Sequence, residues 1–142
     1  MIDPSPPKSA QDLFDSVARH LFEQGRQSRK NFHGLSGTCA YRGEGRTACA
    51  VGCLLTDDEA AKADANAGTS VYAIFEAGLL PERLHKYLGL LNRLQMVHDQ
   101  VNQVNQDTRQ SFYDGLIHTA VEHFLEIDLL NEMAKQYGIE TG

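Results

Sequence analysis

Residues 39–55 read CAYRGEGRTACAVGCLL and constrain the fold more than any other stretch of this sequence. The stretch holds all three cysteines, a Tyr-Arg pair, a glycine-punctuated turn and a short apolar run. Residues 38–42 and 47–51 flank the Gly43–Arg46 turn, and their composition predicts a small β-hairpin. Because a lone hairpin is only marginally stable in water, we expect it to pack on helices.

Most of the remaining sequence is patterned as amphipathic helix. Apolar residues recur at helical spacing after Ser9, over 81–104 and after Asp107. Thr56 opens a further helix, and a short apolar helix is expected over 71–77. The predicted fold class is mainly α, with four to five helices and one small β-hairpin inserted after the first helix.

Two local expectations follow from the same pattern. Residues 26–38 show no hydrophobic periodicity and are predicted to form a loop. The helix after Asp107 is expected to run unbroken to Gly138. The residues on its predicted inward face are Leu116, Ile117, Ala120, Phe124, Ile127, Leu130 and Tyr137.

Length and composition bound the class of protein. A chain of 142 residues predicts one domain, with residues 1–8 as a flexible lead-in and 9–142 as a single mainly helical domain. No apolar run approaches the ~20 residues of a membrane span, and no secretory signal opens the chain, so we expect a cytoplasmic protein. Residues 51–142 carry 14 acidic against six basic side chains, which argues against nucleic acid as a partner.

The cysteines allow a metal site as one interpretation. His33, Cys39, Cys49 and Cys53 could supply four zinc ligands, although only the last two have the close spacing usual for structural zinc. The alternative is that the cysteines are thiols that pack in an apolar junction, with no cofactor. An oxidised pair of Cys39 and Cys49 across the hairpin is a third alternative.

Nucleophilic catalysis is another interpretation. Cys53 or Cys49 would be the nucleophile, and His98 on the 81–104 helix would be its base. No catalytic signature surrounds either cysteine, and His98 could instead be a partly buried histidine bonded to the backbone. A second polar set, Asp114, His118 and Glu122, lies on one face of the last helix. It could hold a divalent metal, but we expect a solvated polar face, because a bridging site needs carboxylates from a second helix.

The hairpin also offers candidate binding residues. Tyr41 and Arg42 would point to opposite faces, and Arg46 lies in the turn. The helix stripe over 87–104 is wide enough that a homodimer is an open alternative.

Three segments together carry a resemblance: HLFEQGRQS, the CAYRGEGRTACAVGCLLTDDE block and LNRLQMVHDQ. The chain resembles small uncharacterised proteins of tailed phages and proteobacterial prophages over roughly residues 11–100. The resemblance implies a phage setting and no specific chemistry. In the stretch 60–68 the chain departs from the pattern, because it is alanine-rich there. The positions that match are Cys39, Tyr41, Arg42, Gly43, Cys49, Gly52 and His98.

The expected function is therefore that of a phage- or prophage-type accessory protein that binds a host or phage protein without catalysis. The alternative is a cysteine-dependent or zinc-dependent enzyme or module built on residues 39–53.

Overall fold

The computed structural model of the chain describes residues 5–30, 38–66, 70–101 and 107–141. The protein is mainly α, with a small antiparallel hairpin after the first helix, which confirms the predicted fold class. Six α-helices lie in the described residues: α1 Ala10–Gln24, α2 Asp57–Asn66, α3 Val71–Glu76, α4 Leu88–Asp99, α5 Thr108–Glu122 and α6 Asp128–Tyr137.

Helix α1 lies at the centre of the core, where it contacts α4, α5 and α6. It begins at Ser9, whose hydroxyl accepts a hydrogen bond from the Asp12 amide, and ends at Gly25 in the left-handed conformation. The apolar stripe predicted from the sequence is confirmed, because its members are almost completely buried: Leu13, Phe14, Val17, Leu21 and Phe22.

In the described residues, four segments of two residues each after α1 are β-strand. They are β1 Arg29–Lys30, β2 Thr38–Cys39, β3 Arg42–Gly43 and β4 Thr47–Ala48.

Strands β3 and β4 form the predicted hairpin, with a short 3-10 turn between them. The predicted strand over 38–42 is wrong in one respect, because Thr38–Cys39 pairs with Arg29–Lys30 and not within the hairpin. Part of the predicted 26–38 loop is therefore a strand.

Two glycines allow backbones to approach too closely for any side chain. A Cβ atom on Gly43 would collide with the backbone nitrogen of Arg29, so β1 and β3 lie side by side only because position 43 is glycine. A Cβ atom on Gly52 would collide with the Tyr41 carbonyl oxygen. These collisions explain physically why the block needs glycine at both positions.

The start of α2 is held by the predicted capping box. The Thr56 amide donates to Glu59, and the Glu59 amide donates to the Thr56 hydroxyl, at 2.9 and 3.2 Å. Arg83 donates two hydrogen bonds of 2.7 and 2.9 Å to the Glu59 carboxylate. The guanidinium of Arg83 lowers the pKa of Glu59 to about 2.

The predicted helix over 81–104 begins as a 3-10 segment, Glu82–Tyr87, that continues into α4. Leu90, Leu94 and Val97 are buried inside the chain, against α1, α3 and α5. This stripe, which could have served a second copy, therefore packs within the monomer. Val104 lies outside the described residues.

The predicted unbroken helix after Asp107 is wrong. It is interrupted between α5 and α6, where Phe124 has a φ of 56°. The left-handed turn redirects the chain, so the expected inward positions Phe124 and Ile127 are 96% and 37% exposed. No helix in the described ranges is long and apolar enough to cross a membrane.

Replacing Gly52 with alanine tests the close approach to Tyr41. We expect Gly52→Ala to lower the free energy of unfolding by about 2–4 kcal/mol, because the backbone must move to relieve the collision. The control is Gly89→Ala in α4, where an added Cβ meets nothing within 4 Å. It should raise that free energy by about 0.5–1 kcal/mol. Urea unfolding of both variants measures the difference, and equal effects would contradict it.

Candidate functional site

The hairpin region contains one cluster of side chains that could carry chemistry. Single ligand-type atoms of Cys39, His98 and Asp99 lie within 4.8 Å of one another. Cys39 is in β2, whereas His98 and Asp99 end α4. This is the only such group of three in the part of the chain that the structure describes. The sequence predicted His98 as a site residue but paired it with Cys53 or Cys49, whereas the structure brings Cys39 to it.

The hydrogen bonds of His98 fix its tautomer. The ring is fully buried and stacks on Phe112. The backbone amide of Ser28 donates to Nε2 at 2.8 Å, so Nε2 carries no hydrogen. The ring hydrogen is therefore on Nδ1, which donates to Asp99 Oδ1 at 2.7 Å. Both ring nitrogens are therefore occupied. Nε2 is bonded to the chain before β1, and Nδ1 is bonded to the next residue of α4.

This arrangement does not supply a base for cysteine catalysis. A general base needs a nitrogen lone pair directed at the thiol. The only lone pair of His98 already accepts the hydrogen of the Ser28 amide. The imidazole therefore cannot take a proton from Cys39 without first losing the contact between α4 and the chain before β1.

The same tautomer works against a metal ion. Coordination through Nδ1 would move the ring hydrogen to Nε2, where it would point at the Ser28 amide hydrogen. Cys39, His98 and Asp99 have the element types of a zinc site, but their hydrogen bonds do not fit one. Of the residues predicted as ligands, His33 lies outside the described residues.

The other two cysteines bond to nearby backbone groups. Cys49 Sγ accepts from the Gly52 amide at 3.2 Å, and the Cys53 thiol donates to the Ala50 carbonyl at 3.1 Å. All three cysteines are free thiols. In the ladder between β1 and β2, Cys39 faces Arg29. Cys39 and Cys49 are therefore not opposite each other in one hairpin, which was the reason to expect a disulfide between them.

Burial is the main reason that the thiols are poor nucleophiles. It raises the pKa of Cys53 to about 12 and moves the pKa of Cys49 upward as well. Burial, with the adjacent Asp99 carboxylate, raises the pKa of Cys39 to about 11. Thiolate is therefore scarce at all three positions at neutral pH.

Two glutamines complete the hydrogen bonding around the cluster. The Gln27 side-chain amide donates to the carbonyls of His98 and Asp99, at 2.9 and 3.1 Å, and thereby caps the end of α4. Gln95 accepts from the Val51 amide at 3.0 Å and donates to Asp99 at 3.1 Å. Neither glutamine was predicted from the sequence, since neither belongs to a recognisable motif.

The structure separates the three predicted binding residues. Tyr41 is fully buried, whereas Arg46 is exposed at the hairpin turn with a φ of 62°. The Arg42 guanidinium donates to the carbonyls of Gly52 and Leu55, at 2.6 and 2.9 Å. Arg42 thus closes the loop that contains Cys49 and Cys53, and Arg46 is the most exposed of the three.

Asp64 in α2 holds this part of the chain as well. Its two carboxylate oxygens accept the amides of Tyr41 and Arg42, at 2.8 and 3.0 Å. Arg42 also contacts Asp57, at the start of the same helix, at 3.2 Å. Helix α2 therefore positions the chain at Tyr41 and Arg42 through two of its carboxylates.

A second candidate surface lies at the corner between α5 and α6. Val121, Phe124 and Ile127 expose 70%, 96% and 37% of their surface, and we call these three residues the apolar corner. The sequence does not predict this surface, because helical spacing directs Phe124 and Ile127 inward and no glycine marks the left-handed turn.

A groove of about 730 Å³ adjoins the apolar corner through Ile127. Its apolar lining includes Tyr113 and Ile117, and its polar lining includes Asp114 and Glu140.

The predicted polar set on α5 is divided by its contacts. Asp114 and His118 face the groove, whereas Glu122 forms an ion pair of 2.7 Å with Arg93. The three do not converge as ligands in the described residues.

Comparisons of this chain with protein-family models, with curated proteins and with solved structures found no match. A function for this chain is therefore argued from the Cys39, His98 and Asp99 cluster and from the apolar corner.

Thiol alkylation tests the state of the cysteines. At pH 7.5 the native protein should react with iodoacetamide about 100-fold more slowly at Cys39 than an ordinary thiol does, because its pKa lies two units higher. The rate at Cys39 should rise with pH up to about 11. Urea-unfolded protein, in which all three thiols react normally, is the control. Fast alkylation of any native cysteine at pH 7.5 would indicate an activated thiolate.

Substitution of His98 tests whether the cluster is structural. We expect His98→Ala to lower the free energy of unfolding by about 3 kcal/mol, since it leaves the buried Ser28 amide without an acceptor, removes one donor to Asp99 and opens a cavity beside Phe112. His98→Gln should cost less, because its oxygen can still accept from Ser28. Zn²⁺ should not raise the thermal midpoint of the wild-type protein. A stabilisation by Zn²⁺ that disappears in both His98→Gln and Cys39→Ala would contradict the structural interpretation.

Proposed function

We propose that this protein is a non-catalytic accessory protein of the phage or prophage type that acts by binding another protein through the apolar corner. The observation that carries the proposal is Phe124, an aromatic side chain that is 96% exposed at a backbone position that disfavours it. The phage setting comes from the resemblance of the CAYRGEGRTACAVGCLL block.

The backbone geometry at Phe124 is that of a helix C-terminal motif. The Leu125 amide bonds to the Ala120 carbonyl at 2.9 Å, across a residue in the left-handed conformation. At the equivalent turns after α1 and α6 the chain uses Gly25 and Gly138. A residue with a side chain is less stable there than glycine by about 1 kcal/mol.

Packing does not compensate for this cost. The Phe124 ring contributes little to the core, because nearly all of its surface faces solvent. Neither local propensity nor burial accounts for phenylalanine at this position. Contact with another molecule would account for it, since aromatic side chains are enriched among the residues that dominate protein interfaces.

The turn that carries Phe124 is held firmly. Gln11 in α1 accepts from the Glu126 amide at 2.8 Å and donates to the Glu126 carbonyl at 3.1 Å. A fixed turn leaves little backbone conformational entropy to lose on binding. The backbone next to Phe124 is thus preorganised.

The alternative function, a cysteine- or zinc-dependent enzyme, has less support. His98 has no lone pair available, and burial raises the pKa values of the thiols. Both features favour a structural role for the hairpin.

Replacing Phe124 with glycine separates binding from stability. We expect Phe124→Gly to raise the free energy of unfolding by about 0.5–1 kcal/mol, because glycine suits the left-handed turn. The same change should weaken binding of the partner by at least about 30-fold, the usual effect of losing a central aromatic residue. Benzoylphenylalanine at position 124, incorporated in a bacterial host, would identify the partner by photo-crosslinking, and the purified pair would then be titrated.

The control position is Tyr72 in α3, an aromatic residue that is 45% exposed and lies outside the apolar corner. Crosslinks from position 72 should not capture the same protein, and Tyr72→Ser should leave the affinity unchanged. Equal affinity of Phe124→Gly and wild type for the purified partner would contradict the proposal, as would the lack of any protein that crosslinks from position 124.

A further inference from the structure

We infer that two copies of this chain exchange helix α6, and that in the resulting dimer residues 108–137 form one continuous helix. The turn at Phe124 is the hinge of this exchange. Three observations carry the inference. The helical pattern of the sequence continues through the turn, the backbone at the turn disfavours its residue, and α6 packs on the rest of the fold as a unit. The inference goes beyond the proposed function, because it requires no partner other than a second copy.

The sequence that joins α5 to α6 is compatible with an uninterrupted helix. No glycine or proline lies between Leu116 and Tyr137, so this stretch contains no strong helix breaker. Leu116 and Ala120 are buried on the inward face of α5, and Phe124 follows at the next helical interval. The local pattern and the observed bend therefore disagree over residues 123–127.

The bend at Phe124 is strained and is held by hydrogen bonds. Phe124 has a φ of 56°, whereas glycine takes the equivalent positions after α1 and α6. Straightening the chain relieves this strain. It also breaks the two bonds of 2.8 and 3.1 Å between the Gln11 side chain and the backbone of Glu126. In a continuous helix the Glu126 amide and carbonyl bond to residues 122 and 130, so both states satisfy the backbone.

The contacts of α6 do not depend on which chain supplies it. The apolar face of α6 is buried against α1 and α5. Tyr137 stacks on Phe22 of α1, with the ring centroids 6.3 Å apart, and Gln110 of α5 forms two bonds of 2.9 Å with the backbone of Glu140. None of these contacts involves the hinge, so α6 from a second copy restores them all. Exchange of an identical element is a low-cost route to a dimer, and a short strained hinge favours it.

Exchange also changes the surface that a partner protein meets. The apolar corner exists because the chain bends at Phe124, so a straight helix no longer presents its three side chains as the monomer does. Dimerisation therefore acts as a concentration-dependent switch of this surface. That consequence alone rests on the proposed function.

Two substitutions of the hinge residue test the inference. Phe124→Gly and Phe124→Ala both remove the ring, so a difference between them reports on the backbone. Glycine suits the left-handed turn and weakens a helix, whereas alanine does the reverse. Because each dimer contains two hinges, Phe124→Ala should dimerise at least about 100-fold more tightly than Phe124→Gly. Size-exclusion chromatography with light scattering over a range of protein concentrations measures this, after incubation near the unfolding midpoint so that α6 can leave its own chain.

Gln11→Ala should shift the equilibrium in the opposite direction from Phe124→Gly. It removes the two bonds that hold the bend and leaves residues 108–137 unchanged, so the dimer should be on the order of 10-fold tighter than that of the wild type. The matched control is Ser16→Ala, at an exposed position of the same helix, which should leave dimerisation unchanged.

A photo-crosslink distinguishes exchange from a dimer of two intact monomers. Benzoylphenylalanine incorporated at position 137 lies against Phe22 of α1. In the exchanged dimer these positions belong to different chains, so irradiation should give a covalent dimer on a reducing gel. The monomer fraction of the same preparation is the control, and its crosslink should stay within one chain.

Three outcomes would overturn the inference. They are the absence of a dimer at every concentration, equal dimerisation of Phe124→Gly and Phe124→Ala, and a dimer whose crosslinks from position 137 all stay within one chain. A partner protein that depends on Phe124, bound by a chain that never dimerises, would leave the proposed function standing without the inference. An exchanged dimer of a chain that captures no protein through position 124 would do the reverse.

Discussion

Every buried backbone amide and carbonyl needs a hydrogen-bond partner, and between α1 and α2 the described residues, 25–30 and 38–56, have little regular structure to provide one. The strands described there cover two residues each, and these ladders satisfy only a few of these groups. Side chains of the surrounding helices bond to several of the other backbone groups. Gln24 bonds to both backbone groups of Ala48, Asp64 accepts two consecutive amides, and His98 accepts the amide of Ser28. The irregular segment is therefore fixed in place by the helices around it.

This constraint determines the chemistry that the segment can perform. A histidine whose Nε2 accepts the Ser28 amide and whose Nδ1 donates to Asp99 has no spare lone pair for catalysis or for a metal ion. The nearby Asp99 accepts from His98 and Gln95 and so orients both. The residues that most resemble a reactive centre, a thiol beside an imidazole and a carboxylate, are thus explained by the demands of the backbone. Proximity of reactive residue types is a weaker indicator of chemistry than the direction of their hydrogen bonds.

The sequence predicted those parts of the fold that depend on local pattern. The stripe of α1, the capping box at Thr56 and the turn between β3 and β4 follow from spacing and side-chain chemistry within a few residues. The pairing of Cys39 with Arg29 was missed because residues 26–38 carry no hydrophobic periodicity that would indicate a strand. His98 was identified as a candidate, but its partner depends on contacts about 70 residues away along the chain. No local pattern encodes such a contact.

The corner between α5 and α6 shows how a failed prediction can locate function. Helical spacing placed Phe124 inside, and it would be inside if α5 continued for one more turn. The chain instead bends there through a left-handed residue, although Gly25 and Gly138 show that glycine performs the same task elsewhere in this protein. A sequence selected only for stability would place glycine at 124, because phenylalanine adds backbone strain and buries almost no surface. Natural proteins retain such local costs where a site requires them, so the mismatch between sequence and backbone directs attention to this corner more strongly than exposure alone would.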